Sequence, residues 1–235
     1  MNAHILISIF LALATASATA ADCAINPDRL GAIYVTGILD AAGNSSKPRQ
    51  LELWRDGPRV LRVNPENNVA ELWANAANKL YLTRYFDGHE RGIEYHPGDI
   101  DSDLDKAHWQ QIRQILPDSK LGSMQLIGES GSGCDKVQIY EANLEGTKLR
   151  VKWLPATNLV KEIQRSDDSQ TTLWSLREVI GDGAEIAAAF AGRDDYQLID
   201  YADIGDNESD PFLHEMAHIG FTGQSRHGAP GGHSH

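Results

Sequence analysis

Residues 21–204 predict a mainly β fold: one large curved antiparallel sheet, a half-barrel, with one helix packed on its concave face and short helices near the C-terminus. Three observations predict it. Apolar and polar residues roughly alternate through about ten short segments rich in β-branched and aromatic residues. Clusters of Gly, Pro and Asn separate the early segments at hairpin spacing. A single amphipathic helical stretch interrupts the series near its middle.

The first five strands are expected at 33–39, 50–56, 59–64, 68–75 and 79–86, punctuated by "DGP" (56–58), "NPENN" (64–68), "NAAN" (75–78) and "DGHE" (87–90). The helix is expected over 101–117, where Leu104, Ala107, Trp109, Ile112, Ile115 and Leu116 recur at helical spacing. Its acidic start suits the positive end of the helix dipole, and Pro117 stops it. Strands return at 123–130, 135–143, 147–154, 158–166 and 171–180, with a hairpin turn at Glu145-Gly146. A short helix at 183–191 and a last strand at 196–203 complete the domain. A sheet of this size must curl, and a helix can fill its hollow side.

The ends of the chain differ from its middle. Residues 1–20 carry an apolar run from Ile5 to Ala14, then small residues ending Ala18-Thr19-Ala20. That is the pattern of a secretory signal peptide, too short in its apolar part for a permanent span, and it predicts export to the periplasm. Asp22 precedes Cys23, where lipoprotein processing wants a small residue, so Cys23 reads as a thiol rather than a lipid anchor. Cys134 is the second of the two cysteines. In an oxidising compartment the expectation is a Cys23–Cys134 disulfide; a free redox or metal-ligating thiol is the alternative. From Gly205 onward a short helix and a Gly-, Pro-, Ser- and His-rich tail are expected, and truncation after Asp210 is expected to leave the domain folded.

The formal net charge is −12, all of it outside residues 1–20. Such a chain repels phosphate backbones, which argues against a nucleic-acid partner.

The stretch "GCDKVQIYEANLEGTKLRVKWLPATNLVKEIQ" (133–164), with "YVTG" and "LELWRDGPRVLRVN" earlier, resembles the bacterial periplasmic proteins of the lipoprotein-carrier-like fold, LolA, LolB and RseB, and related exported domains. In that resemblance a strand, a turn and a strand ending in Trp153 are followed by a strand at Leu159–Ile163. It covers roughly residues 31–204. It implies a half-barrel around helices and a habit of binding acyl chains or protein partners, and it carries over no single functional residue.

Several residues could carry chemistry. "HEMAH" (214–218) matches H-E-x-x-H, in which His214 and His218 would hold zinc and Glu215 would activate water. The extended zinc motif needs Gly at 221 and His at 224, where the chain has Phe221 and Gln224, and no acidic residue follows Glu215. The expectation is therefore weak chelation of Zn, Cu or Ni by His214, His218, His227, His233 and His235, with no cofactor required and Glu215 at most auxiliary; a zinc-dependent peptidase is the alternative. The acidic run Asp99, Asp101, Asp103, Asp105 lacks the Gly and Glu of a calcium loop. "GESGSGC" (128–134) joins two strands rather than opening a helix and reads as a loop, not a phosphate cradle. Trp54, Trp73, Trp153 and Trp174 fall on strands and Trp109 on the helix. Core packing explains each, but if they share the concave face they would line an apolar ligand cavity. The leading expectation is a non-enzymatic envelope protein holding a lipid or a partner protein. A structural or interaction module without a small ligand is the third reading.

Overall fold

A computed structural model describes residues 23–100, 106–207 and 209–218. Residues 1–20, where a signal peptide is expected, and the histidines at 227, 233 and 235 lie outside the described residues.

The expected hairpins form. Strands β1 (Arg29–Asp40), β2 (Arg49–Asp56), β3 (Arg59–Asn64), β4 (Val69–Ala76), β5 (Lys79–Phe86) and β6 (Arg91–Tyr95) follow one another as antiparallel neighbours. Their turns use residues that tolerate positive φ: Gly57 at 59° and Asn68 at 54°, with Ala77 and Asn78 at 50° and 61° in a tight two-residue loop. A second meander comprises β7 (Gln125–Ser130), β8 (Val137–Leu144), β9 (Thr147–Leu154), β10 (Leu159–Ser166) and β11 (Gln170–Ile180). β11 pairs antiparallel with β1, which joins the meanders into one open sheet. The twelfth strand, β12 (Gln197–Asp200), adds to the far edge beside β6, and it runs parallel. The sheet is thus antiparallel except at this last pair. The parallel direction follows from the route of the chain, which crosses the outer face through α3 (Gly183–Ala191) and returns along β6 in β6's own direction. β6 was not expected from sequence, because its five residues are too few to show a period.

The helix expected over 101–117 is shorter. α1 spans Lys106–Gln114, residues 101–105 fall outside the described residues, and Ile115 turns the chain with φ 69°. Pro117 then caps α2 (Asp118–Gly122). A proline bars the residue before it from helical geometry, so α1 must end ahead of Leu116, and a left-handed residue supplies the exit.

The sheet curls around one large core. Leu30, Ala32, Tyr34 and Leu53 at its centre, Ile93 on β6 and Trp153 on β9 belong to one buried cluster with Ile112 of α1 and Leu121 of α2. Trp109 and Leu116 pack against it half-buried, so the helix sits on the concave face as its periodicity predicts. α4 (Pro211–His218) fills the rest, burying Phe212, Leu213 and Met216 in the same cluster. This corrects the expectation that the chain could be cut after Asp210, since the helix heading the tail is part of the core. The outer face has its own small cluster, where α3 lays Ile186 against Trp54, Leu61, Val63, Ala70 and Tyr85. The Asp182 side chain caps α3 by accepting from the backbone N–H groups of Ala184 and Glu185. No helix among the described residues is long and apolar enough to cross a membrane.

Two ties hold the N-terminal segment. Cys23 and Cys134 are disulfide-bonded, with Cα atoms 5.5 Å apart. Arg55 is 1% exposed and donates to four backbone carbonyls, those of Arg113 (2.7 Å), Pro27 (2.9 Å), Thr157 (2.8 Å) and Asn158 (2.7 Å). Burial, with the neighbouring Arg113 cation, pulls its guanidinium down to about 10. The bonds pin the N-terminal segment, the end of α1 and the β9–β10 turn to one point.

Candidate functional site: the open end of the concave face

Strand register sets the concave face residue by residue. Because side chains alternate, every second position of each strand faces the core, and paired residues form rows across the sheet. One row runs Thr36, Trp174, Ile163, Val151, Tyr140 and Leu126 across six strands. The next row outward runs Ile38, Thr172, Arg165, Leu149 and Ala142. Val151 is fully buried; Trp174, Ile163, Tyr140 and Leu149 are half-buried; Ile38 and Leu126 are 41% and 47% exposed. Leu144, on the same face at the tip of the β8–β9 hairpin, is 55% exposed. The rows therefore grade from a packed interior to an apolar rim at one end of the sheet. Exposed apolar side chains grouped at a rim are a general feature of docking surfaces. Arg165 is the single charged side chain in the two rows.

The tryptophans divide between faces. Trp73 and Trp153 are buried in the concave core, and Trp109 stands beside them on α1. Trp73 is fixed by an edge contact with His108, ring centroids 6.1 Å apart, and by a long hydrogen bond to Glu71 at 3.4 Å. Trp174 lies on the open row. Trp54 faces the other way: it packs under α3, its ring over Gly31, where a Cβ would come within 2.4 Å of the indole. A cavity lined by all five is thus corrected to a concave face that has four, of which Trp174 alone lies in the open rows. Which strand face is inside was not legible at Trp54, because both faces of the sheet are covered there.

The "HEMAH" stretch is helical, as its spacing requires. His214 and Glu215 stand on the exposed side of α4. His218 lies at the end of the same helix. The helix is anchored by Asp210, which accepts from the Phe212 N–H and pairs with Arg91 through both oxygens at 3.0 and 2.8 Å. That Arg91 pair, outweighing some burial, holds the Asp210 carboxyl below its ordinary range. Arg91 also lies over the Phe212 ring at 4.5 Å. Among the described residues no three His, Cys, Asp or Glu side chains gather into a ready metal centre. His89, on the β5–β6 turn, was not singled out from sequence, yet its Nε2 comes within 3.8 Å of Glu215 Oε2. No sequence signal links positions 89 and 215; the fold alone brings them together.

No family model matches this chain, and no curated protein matches it. Solved structures similar to it include PNGF-II, at 8% identity and TM-score 0.43 over 76% of this chain. The chain spans about a third of PNGF-II, 33% of its length. A domain described as that of an outer membrane lipoprotein-sorting protein from Vibrio parahaemolyticus is similar at 9% identity and TM-score 0.29, over 70% of this chain and 92% of that one. The MucA/MucB complex of Pseudomonas aeruginosa is similar at 13% identity and TM-score 0.31, over 68% of this chain and 56% of that one. The lipoprotein-sorting domain and MucB are of the kinds that the sequence resembles. These are likenesses of fold.

Proposed function

We propose that this chain is an exported binding protein that takes an apolar ligand, an acyl chain, against the open end of its concave face. The observation that supports this reading is the graded pair of rows, from buried Val151 through half-buried Trp174, Ile163, Tyr140 and Leu149 to exposed Ile38 and Leu126. An acyl chain laid along them would remove apolar surface from water at about 25 cal/mol per Å². Arg165 at the rim favours a ligand whose head is anionic. The Cys23–Cys134 disulfide accords with an oxidising compartment and so with export.

Native mass spectrometry of protein purified from its own host tests the reading, with a co-purified lipid expected. Leu149→Asp places a charge in the outer row and is expected to weaken binding of a fluorescent fatty acid by about tenfold or more. Because Leu149 is only half-buried, the melting transition should move little. Protein that carries no lipid, and whose Leu149→Asp variant binds fatty acid as the wild type does, would rule the acyl-chain site out.

A further inference from the structure

We propose that Arg62, on the concave face of the first meander, receives the anionic head of a small molecule, a carboxylate or a phosphate. The acyl-chain reading above is independent of this site, which lies on β3, outside the open rows.

Strand register builds the site. One row of the concave face runs Leu53, Arg62, Glu71, Arg84 and Ile93 across β2 to β6. Leu53 and Ile93 belong to the concave core, so three charged side chains stand between apolar ones on the inner side of the sheet. Two are cations and one is an anion, which leaves a surplus positive charge there.

Glu71 is engaged on its other side. Its Oε1 accepts from Arg84 Nε at 3.2 Å and Nη2 at 2.8 Å, and its Oε2 accepts from Trp73 Nε1 at 3.4 Å. Burial works to raise the Glu71 carboxyl, but Arg84, with Arg62 beyond it, holds it below its ordinary range. Arg62 meets this carboxylate only through space: among the described residues its guanidinium makes no hydrogen bond and no ion pair. Burial pulls that guanidinium below its ordinary range, and Glu71 offsets only part of the pull. A buried cation without a bonded partner is costly, and native proteins rarely leave one.

The position is also open. Leu53 and Ile93 have no exposed surface and the Arg84 side chain has 7%, yet Arg62 is half-buried and 29% of the Glu71 side chain is exposed. Water therefore reaches the middle of the row. An oxyanion that replaces this water meets a planar fork of N–H donors, which matches two oxygens of a carboxylate or a phosphate. The chain's net charge of −12 repels anions at long range, so the gain arises at contact.

The test uses the full chain in chloride-free buffer and two probes, inorganic phosphate and dodecyl phosphate below its micelle concentration. The melting temperature is read across each titration. Wild-type protein is expected to show a rise that saturates, because the anion binds the folded chain. Phosphate also stabilises proteins generally by exclusion from their surfaces, so the deciding quantity is the difference from Arg62→Met, which should show only a shallow rise that does not saturate. If the part that depends on Arg62 is half-complete at a dodecyl phosphate concentration about tenfold or more below that of inorganic phosphate, the ligand is the head of an amphiphile; equal concentrations identify a free ion. Without phosphate, Arg62→Met should melt at or above the wild-type temperature, since it removes a buried charge that lacks a partner. Arg62→Gln serves as a second neutral variant, with circular dichroism confirming that each is folded. No saturating rise in the wild type, the same saturating rise in either folded neutral variant, or neutral variants that both melt well below the wild type in phosphate-free buffer overturns the proposal.

Discussion

Arg55 shows how far a single residue can be read in advance. Leu51, Leu53 and Arg55 alternate along one face of β2, so once the structure shows that face to be the inner one the burial of Arg55 follows. Its partners are not, because Pro27, Arg113, Thr157 and Asn158 come from three distant parts of the chain. A buried cation usually meets a carboxylate, whereas this one is satisfied by carbonyl dipoles. Arg55→Met keeps the apolar stem but leaves four acceptors without their donor. We expect a loss of about 3 kcal/mol or more in urea unfolding, and little rescue from Arg55→Lys, whose single ammonium cannot reach all four. A shift below 1 kcal/mol would mean that water replaces the guanidinium freely. Gly31 is a smaller instance of the same limit. Its need for a bare Cα arises from Trp54 lying across it, which no local signal announces. Gly31→Ala is expected to displace the indole and cost about 1–3 kcal/mol.

At the scale of the element, α4 was read correctly as a helix and incorrectly as expendable. Its helical length follows from Asp210 as cap and Pro211 in the first turn. Its packing follows from Phe212, Leu213 and Met216, which a tail rich in Gly and His disguised. Truncation after Asp210 is now expected to destabilise the protein substantially, since it opens the core beside Phe86. The anchor also titrates. The folded Asp210 carboxyl sits below its unfolded value of about 3.9, so its contribution is complete above that pH and is lost as pH falls through the lower folded value. Hydrogen exchange in residues 211–218 should therefore quicken as pH falls below about 4 relative to the intrinsic rate, and Asp210→Asn should remove that acid dependence. The opposite sign, a helix better protected in acid, would discard the Arg91 pair as the anchor. α1 illustrates the reverse error. Its period was legible, but the break at Ile115 was not, because a β-branched residue is a poor candidate for φ 69° and tertiary packing imposes it.

For the whole molecule, hairpins were legible because their signals are local: a turn residue with positive φ flanked by alternating strands. The joining of the meanders and the placing of the last strand at the edge were not, because β1 with β11 and β6 with β12 pair residues more than a hundred positions apart. The disulfide is as long-range, joining cysteines 111 positions apart. In the chain-entropy model a loop that long stabilises the fold by about 4–5 kcal/mol. Reduction, or the Cys23→Ser/Cys134→Ser pair, should lower the denaturant midpoint accordingly, and an unchanged midpoint would show that the unfolded chain is not constrained by the bridge. The β1–β11 seam also implies an order of events. Each meander can form from its own sequence neighbours as soon as they are available, whereas the seam must wait until residue 180 has joined the chain. A polypeptide threaded through a membrane pore with its N-terminus first would thus present β1 with one bare edge throughout transit. Until β11 arrives, that edge is where a chaperone, or a second copy of the same chain, would find an unpaired strand to grasp.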